Sequence, residues 1–112
     1  MTTATDYLFD HLTDRTADLI KAVSVHRKFG PDNRPHARDL NAHERLQRGV
    51  SAVMAAIECL NAQFKRDGLE EIIFDHDEEI DREIDNIYKL AEYSAHEGVL
   101  KEVLEDHRNA AR

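Results

Sequence analysis

Leu46-Gln-Arg-Gly-Val50-Ser-Ala-Val-Met-Ala55-Ala-Ile-Glu-Cys-Leu60-Asn-Ala-Gln-Phe64 places large apolar side chains at Leu46, Val50, Val53, Ile57, Leu60 and Phe64. Spacings of 4, 3, 4, 3 and 4 keep them on one stripe of an α-helix, as in a heptad seam. Beside it runs a second stripe, Gly49, Ala52, Ala56 and Cys59, whose small side chains let another backbone approach closely. A helix with bulky and small stripes side by side is expected to pack on two sides, and the small one reads as an oligomer seam.

The flanking residues set the limits of this helix. Lys65 and Arg66 suit its C-terminal dipole and Gly68 ends it, so the pattern predicts a helix over 39–66, about 40 Å long at 1.5 Å per residue. Upstream, Thr5 or Asp6 can cap a first helix carrying Leu8, Leu12, Leu19, Ile20 and Val23, closed by Phe29-Gly30-Pro31. Residues 32–38 read as a loop. Downstream, a third helix starts at Glu70, or at Asp75 with Glu78 as a capping box, and carries Ile80, Ile84, Ile87 and Ala91. Gly98 breaks or kinks it, and Val99, Leu100, Val103 and Leu104 suggest a final amphipathic helical piece. The expected fold is all-α: one domain, residues 1–112, forming an antiparallel bundle of three long helices plus a short C-terminal helical segment.

Composition narrows the function classes. With 41% hydrophobic and 34% charged residues, the 112-residue chain belongs with globular domains rather than disordered ones. Its net charge of −8 disfavours nucleic acid or an anionic membrane as a partner. The single Cys59 leaves no internal disulfide and suits a reducing compartment. The first residues show no signal-peptide pattern and no apolar run is long enough to span a bilayer, so a bacterial or infected-host cytoplasm is expected.

Charge is unevenly distributed. Between Leu69 and Asp85 stand nine carboxylates and one base, Arg82, whereas between Lys21 and Arg48 stand seven bases and three acids. Glu78, Asp81, Asp85 and Glu92 fall near one helical face, about one turn or two apart. Such a row can meet a basic surface on a partner protein, and acids in a first turn also complement the helix dipole. In the basic stretch, Arg34, His36 and Arg38 precede a helix N-terminus, where an anionic nucleotide or phosphate binds readily.

Metal and covalent chemistry find little support. Glu78 with Asp81 and Glu102 with Glu105 form i,i+3 pairs, but the second helix offers only Glu44 and Glu58, both off its bulky stripe. None of the seven histidines has a second at i+3 or i+4, and His76-Asp77 lies in an acidic, turn-like setting. Cys59 has no neighbouring histidine in sequence and reads as a packed thiol. No cofactor motif is present.

Arg38-Asp-Leu-Asn-Ala-His43 resembles, over six residues, the R-x4-H element of the helical HEPN ribonucleases. That resemblance implies metal-independent RNA cleavage, with Arg38 and His43 polarising a phosphate and moving protons across a subunit interface. A second short likeness, in Leu46-Gln47-Arg48-Gly49 and Ala56-Ile57, is to phage proteins that sequester cyclic nucleotides with a helical hairpin. The reading favoured by the whole chain is a small acidic, self-associating helical protein of the kind a phage or mobile element encodes. It would act without catalysis as a regulator or inhibitor of a larger protein complex. The ribonuclease, the anionic-nucleotide binder and a carboxylate metal site are its alternatives.

Overall fold

A computed structural model of the chain describes residues 2–72 and 78–110. The chain is all-α, with three long helices, α1 (Ala4–Phe29), α2 (Ala42–Arg66) and α3 (Glu79–His96), and a short α4 (His107–Ala110). No strand occurs among the described residues. Two compact units divide it, Met1–Ile72 and Ile73–Arg112, and each is described by itself.

In the first unit, local caps set the helix ends. Thr3, rather than Thr5 or Asp6, is the N-cap of α1: its Oγ1 accepts from the Asp6 N–H at 3.0 Å. That places Asp6 in the first turn, where its charge suits the dipole. Gly30, at φ 85°, closes the helix and donates its N–H to the His26 carbonyl at 3.0 Å. The start of α2 falls at Ala42, not Asp39, because Asn41 and Glu44 form a capping box. The Glu44 N–H donates to Asn41 Oδ1 at 2.8 Å and the Asn41 N–H to Glu44 Oε1 at 3.1 Å. At the other end Gly68, at φ 73°, completes a Schellman turn, with Leu69 N–H to Phe64 O at 2.8 Å and Gly68 N–H to Lys65 O at 3.3 Å.

α1 and α2 pack as an antiparallel hairpin. Phe9 meets Phe64 with ring centroids 5.9 Å apart, Leu19 meets Gly49, and His26 meets His43. A Cβ at Gly49 would lie 3.1 Å from Leu19 Cδ1 and 3.4 Å from Leu19 Cα, so the helices approach closely here and a methyl would require the end of the Leu19 side chain to shift slightly. Ala22, Ala42, Ala56 and Leu60 are the buried apolar residues, with Leu60 fully enclosed. The small stripe of α2 is thus largely turned to α1, while Val50 of the bulky stripe is 47% exposed. Beyond α2, Ile72 is held to Asn61, whose side chain accepts from the Ile72 N–H at 2.7 Å and donates to its carbonyl at 2.8 Å.

In the second unit, α3 begins at Glu79, later than either start read from the sequence. The proposed Asp75 cap and His76-Asp77 lie outside the described residues. Gly98, at φ 77°, ends α3 in a second Schellman turn, with Val99 N–H to Ser94 O at 2.9 Å. The expected helical piece over Val99–Leu104 is not helical, and Val99 and Val103 are exposed. A short segment with β-branched residues and no surface to bury against does not recover the cost of helix nucleation. The C-terminal helical turn lies instead at His107–Ala110.

Candidate functional site

The acidic row on α3 has a defined environment. Asp81, Asp85 and Glu92 are exposed on α3, with Glu78 just before it. The C-terminal segment returns to this face. The Arg108 guanidinium lies 2.6 Å from Asp85 Oδ1 through Nη2 and 3.7 Å from Asp81 Oδ1 through Nη1. The same guanidinium takes Asp106 as a fork, donating from Nε to Oδ1 at 2.9 Å and from Nη2 to Oδ2 at 2.5 Å. Fork geometry of this kind is the strong form of the carboxylate–arginine pair.

Titration behaviour follows the contacts. Hydrogen bonding to Arg108 holds the Asp106 carboxyl down at about 2, and the bonds to Asp106 and then Asp85 raise the Arg108 pKa. Tyr88 anchors the segment one residue earlier: its hydroxyl is 2.7 Å from His107 Nδ1 and accepts the His107 N–H at 3.2 Å. Farther toward the N-terminus of α3, Arg82 pairs with Glu79 one turn away. Arg108, Asp106 and Tyr88 were not among the residues singled out in the sequence. Arg108 stands 23 positions from Asp85, and no spacing rule links them.

The other predicted site residues lie in the first unit. Arg34, His36 and Arg38 are exposed in the loop before α2, with Arg34 Nη1 donating to the Ala37 carbonyl at 3.4 Å. The first amides of α2 already have acceptors: Ala42 N–H goes to Asn33 O at 2.8 Å, His43 N–H to Pro31 O at 3.0 Å and Glu44 N–H to Asn41 Oδ1 at 2.8 Å. His43 Nδ1 stands 3.1 Å from His26 Nε2, so one ring donates and the other accepts. His43 of the R-x4-H element thus lies within hydrogen-bonding distance of a histidine of α1 while remaining exposed.

Of the proposed oligomer seam, Gly49 contacts Leu19 and Ala56 is buried, Ala52 is half-buried, and Cys59 is an exposed free thiol rather than a packed one. Among the described residues no three His, Cys, Asp or Glu side chains converge as a metal-binding group. No described helix is long and apolar enough to cross a membrane. No family model, curated protein or solved structure matches the chain.

Proposed function

We propose that this chain acts without catalysis, as a regulator or inhibitor of a larger protein complex, by presenting the acidic face of α3 to a basic, arginine-bearing segment of a partner. The observation that carries this reading is the Arg108 guanidinium seated among Asp81, Asp85 and Asp106. A face that grips an arginine of its own chain has the acceptor spacing to grip one from outside. The exposed thiol of Cys59 suits a reducing cytoplasm. Self-association belongs to the same proposal, through the exposed Val50 and Met54 flank of α2, since Gly49 and Ala56 face α1.

The test is titration of a fluorescent tetra-arginine peptide against the full chain. Arg108→Ala, which removes the internal competitor, should bind more tightly than wild type, and Asp81→Asn with Asp85→Asn should lose binding. Binding that is unchanged in both variants, or insensitive to salt between about 50 and 500 mM, would overturn the reading. Light scattering at micromolar concentration checks self-association, and a monomeric mass removes it.

A further inference from the structure

The groove between α1 and α2 has a volume of about 520 Å³ and a composition opposite to that of the chain as a whole. Arg15 and Lys21 line it from α1, and Arg45 and Arg48 from α2, against one carboxylate, Asp18. Four cations facing one acid leave the site strongly positive in a protein of net charge −8. One of these cations is incompletely satisfied. Arg15 Nη1 lies 3.6 Å from Asp18 Oδ2, but its Nε–H is buried and has no acceptor among the described residues. That Nε–H is shielded from the groove, so it is the Nη groups of this partly exposed side chain that a ligand can reach.

The remaining lining narrows the ligand. Val25, Leu40 and Ala52 give the groove an apolar surface, which a bare phosphate ion would leave uncovered. Asp18 and Ser51 add groups able to accept from a sugar hydroxyl or an amino group on a base. The volume falls within the usual ~300–1,000 Å³ of small-molecule sites. We propose that this groove binds a nucleoside phosphate, with the phosphates on Arg15, Lys21, Arg45 and Arg48 and the base along Val25, Leu40 and Ala52. A mononucleotide fits better than RNA, because the local positive charge is confined to the groove while the whole chain repels a polyanion. This site differs from the loop residues Arg34, His36 and Arg38, and it stands independently of the acidic face of α3.

The test is calorimetric titration of the full chain with ADP, GDP, CDP and UDP, with inorganic phosphate and the four nucleosides as controls, alongside thermal shifts at about 1 mM ligand. At least one diphosphate should bind tenfold or more tightly than phosphate or its own nucleoside and raise the melting temperature. Arg48→Glu and Lys21→Glu, both at exposed positions, should each weaken it at least tenfold while the helical circular dichroism is unchanged. Asp81→Asn with Asp85→Asn should leave it unaltered, which separates this site from α3. The proposal is overturned by no binding of any diphosphate, by equal affinity for inorganic phosphate (an adventitious ion only), by undiminished binding in folded Arg48→Glu and Lys21→Glu, or by tighter binding of a short single-stranded RNA.

Discussion

Arg108 Nη2 donates to Asp85 Oδ1 at 2.6 Å, joining residues 23 positions apart and bringing the C-terminal segment onto α3. Because the same guanidinium also holds Asp106 and approaches Asp81, three carboxylates share one cation. Two of the acidic residues of α3, Asp81 and Asp85, are thus partly neutralised from within the same unit while staying exposed to solvent.

The first prediction concerns pH. Asp106 should titrate with a midpoint of about 2 by carboxyl NMR, and Arg108→Ala should return it toward the ordinary 3.8. The folded pKa lies below the unfolded one, so the stabilisation is fully present above about pH 4 and is lost as pH falls toward about 2. The pair is partly open to solvent, so added salt should shrink the effect.

Packing at the hairpin crossing gives the second. Gly49→Ala should be nearly neutral in urea denaturation, since the ~1 kcal/mol gained in helix propensity offsets the push on the flexible Leu19 Cδ1. Gly49→Val, which must also displace the Leu19 backbone, should destabilise by about 1–3 kcal/mol. Equal stability of the valine and alanine variants would contradict the close approach.

Leu60 supplies the third. Among the described residues it is the large side chain that is fully enclosed, and Leu60→Ala should cost about 2–5 kcal/mol in the same denaturation experiment. That is a large share of the stability of so small a unit.

The fourth concerns the Asn61 side chain, which pairs with both polar groups of the Ile72 backbone. Asn61→Ala should raise the amide exchange rate of Ile72 severalfold while leaving exchange in the middle of α2 unchanged. An Ile72 amide that exchanges equally fast in wild type would show the pairing to be absent in solution.

The sequence by itself determined the three long helices and where each of them stops, because the signals involved are local. Apolar spacing over three and four residues marks the helices, and Gly30, Gly68 and Gly98 all take the positive φ that ends them. All three starts differ from those read from the sequence: side-chain caps at Thr3 and Asn41 set the first two, and α3 begins only at Glu79. Only the tertiary structure decided which side chains meet. It turned the small stripe of α2 toward α1, set His43 against His26, drew four cations from two helices into one groove, and placed Arg108 on the acidic row. Those pairings span many residues and depend on how helix faces pack and where a segment folds back, and neither periodicity nor charge counts carry that information.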